Sequence, residues 1–114
     1  MNERKVLDFI EDIIDEIDNI KSFVKKITFE QFESNLEKQY AVQRSIEIIG
    51  EAVGNLPEKL KNKYEKVPWS KIVKMKHRLS HGYPFTSTEI VWDVAKVHIL
   101  ELEEAVMQIK EEMS

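Results

Sequence analysis

With 114 residues, the chain has the length for one domain with a modest core and not for a second, so residues 1–114 are expected to form a single domain. Hydrophobic residues make up 42% and charged residues 33%, which excludes a disordered chain. Three glycines and three prolines supply too little punctuation for an all-β fold, and the lack of cysteine removes disulfides, thiolate metal sites and a cysteine nucleophile together. The formal net charge of −4 argues against general affinity for nucleic acid, yet it is unevenly spread. Between Lys59 and Arg78, eight basic residues face the single Glu65, a net of +7, which leaves −11 for the other 94 residues. A polyanion suits that segment, and so does a plain solvated lysine face. No apolar run approaches the ~20 residues that span a bilayer, so the reading is a soluble, cytoplasmic protein without a membrane partner.

The first predicted helix runs from about Asn2 to Ile27. Val6, Ile10, Ile13, Ile17, Ile20, Val24 and Ile27 alternate spacings of four and three and form one stripe, while Asp8, Asp12, Asp15, Glu16 and Asp18 face water. Thr28 and Gln31 make a capping box, after which one long helix is expected from Phe29 to Gly54. Its apolar face is read as Phe32, Leu36, Val42, Ile46, Ile49, Val53 and Leu56. Arg44 and Glu51 stand two turns apart on one side of it, either joined through a neighbour or solvated.

Glu58–Tyr64 reads as a short polar helical segment. Pro68 opens a third main helix with Trp69 as an anchor, ending near Ser80 and the His81–Gly82 step, and Pro84 prevents continuation. Thr86 with Glu89 offers a second capping box for a last helix from about Ser87. Its apolar positions are Ile90, Val91, Val94, Val97, Leu102, Val106 and Ile109, with Trp92 as a further anchor and His98 beside the stripe. The expected fold is all-α: an antiparallel bundle of four main helices plus a short helical segment.

Chemistry concentrates between Lys74 and Tyr83. Lys74, Lys76, His77, Arg78, His81 and Tyr83 gather at the C-terminal end of one helix, with His77 and His81 one turn apart. Imidazole exchanges protons near neutral pH, and neighbouring cations stabilise charge that develops on phosphate oxygens. With RNA the substrate's own 2′-hydroxyl is the nucleophile, so neither a metal nor another cofactor is called for. His77 and His81 as metal ligands are a further reading, but no glutamate lies between them and no third ligand is evident nearby. From the residues alone, Tyr83 is better explained as a packing aromatic.

Two stretches add to this. Gln43–Val53, QRSIEIIGEAV, resembles the second-helix signature of the HepT-like proteins, a branch of the HEPN superfamily. Pro68–Tyr83, PWSKIVKMKHRLSHGY, is similar to the same family's active segment, and Glu89–Trp92 fits the opening of its last helix. The resemblance covers most of the chain in the expected order. It implies a HEPN-like helical bundle that forms a homodimer, with the motif regions of both subunits meeting at one cleft. It also implies a metal-independent ribonuclease toxin, silenced when a nucleotidyltransferase antitoxin adds AMP to a tyrosine.

The family motif is an arginine, four residues, a histidine, any residue and a tyrosine. His81 and Tyr83 match the last two, whereas Lys76 occupies the arginine position. Lysine keeps the charge but loses the planar, bidentate grip on phosphate. The expected catalytic residues are Lys76 and His81, with Lys74, His77 and Arg78 binding RNA phosphate and Tyr83 taking AMP. The alternative is a non-catalytic helical partner of a nucleotidyltransferase that binds RNA or nucleotide.

Overall fold

A computed structural model describes residues 3–80 and 87–113 of the chain. Every regular element among them is helical: α1 (Glu3–Val24), α2 (Phe29–Glu33), α3 (Leu36–Gly54), α4 (Glu58–Lys63), α5 (Trp69–Ser80), α6 (Thr88–Asp93) and α7 (Ile99–Met113), with a π-helical turn at Val94–His98 joining the last two. No helix among them is long and apolar enough to cross a membrane.

The stripe on α1 behaves as its spacing demands. Ile10, Ile13, Ile17 and Ile20 are completely buried, and Asp8, Asp12, Asp15 and Asp18 are exposed. Each buried isoleucine contributes on the order of 1.5–3 kcal/mol. Helix α1 stops at Val24, a turn earlier than expected, because Lys26 takes the left-handed conformation (φ 61°) that ends a helix. The Lys38 ammonium, from α3, then donates to the orphan carbonyl of Phe23 at 2.9 Å.

The single helix expected over Phe29–Gly54 is two helices. The Thr28–Gln31 capping box is present and starts α2. The helix ends where the Ser34 hydroxyl bonds back to the Glu30 carbonyl (3.0 Å), and Asn35 caps α3 through the Lys38 amide (3.1 Å). Gln39 closes the joint by donating to the carbonyls of Phe32 and Glu33. As the first residue of α3, Leu36 points outward and is 57% exposed, so it is not the core position its spacing suggested.

The last helix also departs from expectation. Thr86 lies outside the described residues; the cap of α6 is Ser87, whose hydroxyl accepts from the amides of Glu89 and Ile90. The π turn then inserts an extra residue into the helical repeat. Burial passes along Val91, Ala95, Ile99 and Leu102, and Val97 is carried out to 52% exposure; Ile90 is exposed as well. Trp92 packs at the edge of the core against Phe32, with ring centroids 5.1 Å apart.

Helices α5, α3, α1 and α7 pack in that spatial order. Lys21–Glu103 (3.0 Å) and Lys110–Glu11 (4.0 Å) show α1 and α7 antiparallel. Since α5 and α7 close poorly on each other, a groove of about 490 Å³ remains between α5 and the α6–α7 side. Its floor is apolar, including Ile46, Ile72 and Ile99, and its rim carries Lys66 and Lys71 opposite Asp93 and Glu101.

Candidate functional site

The basic segment spans α4, the turn after it and α5. Its joint is fixed by Trp69: the buried indole N–H donates to the carbonyls of both Lys61 and Tyr64 at 3.1 Å. Two of the eight cations have structural partners. Lys61, whose side chain is 13% exposed, pairs with Glu58 (3.2 Å) and reaches the Val53 carbonyl (3.4 Å). Lys63 pairs with Glu112 at 2.9 Å. Glu112 also accepts from the Tyr64 hydroxyl, and these two donors hold its carboxyl below the ordinary range. Burial, then the hydrogen bond to Glu112, pushes the Tyr64 phenol up; the same carboxylate raises Lys63.

Of the others, Lys59, Lys66, Lys71, Lys74 and Arg78 are exposed. Lys71, Lys74 and Arg78 are spaced three and four apart on the exposed side of α5, and His77 is exposed beside them. This is a stripe of three positive charges directed at solvent. Lys76 leaves the helix differently. Its stem lies against Gly50 of α3: a Cβ added to Gly50 would come within 2.2 Å of the Lys76 Cβ and 2.8 Å of its Cγ. Lys76 is therefore partly buried with its stem at the α3–α5 seam, whereas Lys74 and Arg78 are exposed. His81 and Tyr83 lie outside the described residues.

At the last residue of α5 the seam contains a polar contact that the sequence did not single out. The Ser80 hydroxyl donates to Oε2 of Glu47 at 3.4 Å, and Arg44 Nη1 donates to the same oxygen at 3.3 Å. Arg44 thus pairs with Glu47 and not with Glu51, which is exposed. The signal for Glu47 was a carboxylate inside the apolar run Ile46–Ile49, on the side of α3 that α5 covers. The result is an Arg44–Glu47–Ser80 network that joins α3 to the last described residue of α5. Among the described residues, no three histidine, aspartate or glutamate side chains converge as a metal site.

Comparison with known proteins identifies the family. Residues 13–109 match the model of the family described as ribonuclease HepT-like. The chain is 40% identical to a Methanocaldococcus jannaschii protein named as a candidate RNase, over 98% of this chain and 96% of that protein. It is 35% identical to a Thermococcus cleftensis protein named as a candidate ribonuclease HepT, over 85% and 88% of the two chains. A candidate RNase of Caldanaerobacter subterraneus is 40% identical over 89% and 90%. No solved structure matches at comparable significance. The chain belongs to the ribonuclease HepT-like family.

Proposed function

We propose that the protein is a metal-independent endoribonuclease, the toxin of a toxin–antitoxin pair. The observation that carries this reading is the cation-lined end of α5 leading into His81–Gly82–Tyr83, in a chain whose relatives are named as ribonucleases. Lys71, Lys74 and Arg78 draw in the RNA backbone, with His77 beside them. At the cleft the 2′-hydroxyl of the substrate attacks the adjacent phosphorus and His81 handles the proton. The bond to the 5′-oxygen breaks, that oxygen leaves protonated, and a 2′,3′-cyclic phosphate remains. Lys76 stabilises the negative charge gathering on the non-bridging oxygens.

Cleavage of RNA in excess chelator by the parent protein, beside His81→Ala, tests this. The parent should cleave and the variant should not, with the fold of both intact by circular dichroism. A well-folded His81→Ala protein that still cleaves rules out the histidine assignment. Lys76 in the arginine position favours a second reading, a non-catalytic RNA- or nucleotide-binding partner of a nucleotidyltransferase. Intact RNA together with salt-sensitive binding selects that reading.

Control of the toxin is proposed to be adenylylation. A cognate nucleotidyltransferase transfers AMP from ATP to the Tyr83 hydroxyl and releases pyrophosphate, placing a bulky anion two residues from His81. Mass spectrometry after incubation with that enzyme and ATP should find the added AMP on Tyr83; an unmodified tyrosine counts against the assignment.

The working assembly is proposed to be a homodimer. Support comes from the apolar groove and from the exposed Val97 and Leu100. Sedimentation should give a dimer at micromolar concentration and a monomer for Val97→Glu; a monomeric parent overturns this.

A further inference from the structure

The contacts Gly50–Lys76 and Glu47–Ser80 show that α3 and α5 run antiparallel. Residues of α3 that precede Glu47 therefore lie beyond the Ser80 end of α5. Arg44 stands there, one turn before Glu47, with its side chain 67% exposed and anchored on a carboxylate that is 22% exposed. Accepting the ribonuclease reading, we propose that Arg44 contacts the RNA phosphate in the cleft and supplies the planar guanidinium that the motif position held by Lys76 lacks.

The geometry supports this in three ways. A guanidinium carries five N–H donors, so the bond to Glu47 leaves an open edge for two parallel bonds to phosphate oxygens. Glu47 also accepts from Ser80, so the anchor of Arg44 is tied to the end of α5. Lys76 has its stem committed to the Gly50 contact and offers only a point charge. Arg78 is the other candidate, but it lies two residues from Lys76, about 200° around the helix, on the solvent side. A simple exposed i,i+3 ion pair would need neither the shared carboxylate nor its link to a second helix.

The test compares the parent, Arg44→Ala, Arg44→Lys, Lys76→Arg and the Arg44→Ala/Lys76→Arg double variant in chelator. Cleavage of single-stranded RNA is measured, with binding of a 2′-deoxy oligonucleotide of the same sequence over a salt series. Arg44→Ala should lower cleavage ~100-fold with unchanged melting, as for loss of one transition-state donor. Arg44→Lys should recover little, and Lys76→Arg should return at least about tenfold to the Arg44→Ala protein. Arg44→Ala should also flatten the slope of log affinity against log salt by about 0.7, one single-strand phosphate contact. Cleavage by Arg44→Ala within about threefold of the parent, or an equal loss with and without Lys76→Arg, overturns the proposal. If the parent does not cleave, the ribonuclease reading falls. The Arg44 contact is then decided by binding: unchanged affinity and slope for Arg44→Ala overturn it, and weaker, flatter binding upholds it.

Discussion

Gly50 and Lys76 meet in the interface of α3 and α5, and no side chain larger than hydrogen fits between them without a shift. A Cβ at position 50 would also come within 3.3 Å of the Ile72 carbonyl oxygen, which cannot yield as a flexible side chain can. Gly50→Ala should force the helices apart, lowering stability by about 1–3 kcal/mol and displacing the root of Lys76. Gly54, one turn on in the same helix, has nothing within 4 Å of its added Cβ. Gly54→Ala should therefore be neutral or stabilising by up to ~1 kcal/mol. Urea denaturation of both variants checks the opposite signs.

Lys26 holds a left-handed conformation (φ 61°) that costs a side-chain-bearing residue about 1–2 kcal/mol. Lys26→Gly removes that cost and adds some entropy to the unfolded chain, so a net gain of about 0.5–1 kcal/mol is expected. A lower thermal midpoint for the glycine variant would show that the lysine side chain contributes more than its backbone costs.

Asn35 separates α2 from α3 by accepting the Lys38 amide. Asn35→Ala should cost ~1 kcal/mol, the usual loss for a helix cap, whereas Asn35→Asp should be nearly neutral. Equal losses in both would show that the side-chain amide, and not its oxygen, makes the important contact.

The tie between α4 and the end of α7 sets a pH window. Glu112 is depressed below its ordinary 4.5, chiefly by the Tyr64 hydroxyl and then by Lys63, so its contribution is present above that value and lost as pH falls through the lower folded value. Lys63 and Tyr64 are raised above 10.5 and 10.0, so their contributions are complete below those values and lost as pH rises through the folded ones. Thermal midpoints measured against pH should be higher for the parent than for Glu112→Gln between these limits and converge at low pH. Curves that stay parallel in acid would mean that the carboxylate charge contributes nothing. Because the groups are exposed, the gap should be small.

The all-helical fold was legible because period carries it: the α1 stripe, the Thr28 cap and the Trp69 anchor all follow from spacing and residue type. The misses have local causes. Ser34 and Asn35 interrupt a helical pattern without glycine or proline, through side-chain bonds to the backbone that a periodicity reading does not register. Val97 was placed inward because a 3.6-residue repeat does not anticipate the extra residue of a π turn. In the site, charge and spacing on one helix pointed to Lys74, Lys76, His77 and Arg78. Arg44 and Glu47 were missed because their link to the end of α5 is tertiary, made by Ser80 33 residues away from Glu47.

Trp69 gives the basic segment an optical signature. Its indole N–H is held by the carbonyls of Lys61 and Tyr64, at the end of α4 just before the turn leading to the exposed cations. Emission from a hydrogen-bonded, buried indole responds to small changes in those carbonyls. The second indole, Trp92, sits apart against Phe29 and Phe32, beneath the Lys96 ammonium at 5.4 Å. The two chromophores sit in different surroundings, so fluorescence with one indole replaced by phenylalanine can follow the seating of the lysine-bearing turn without any attached label.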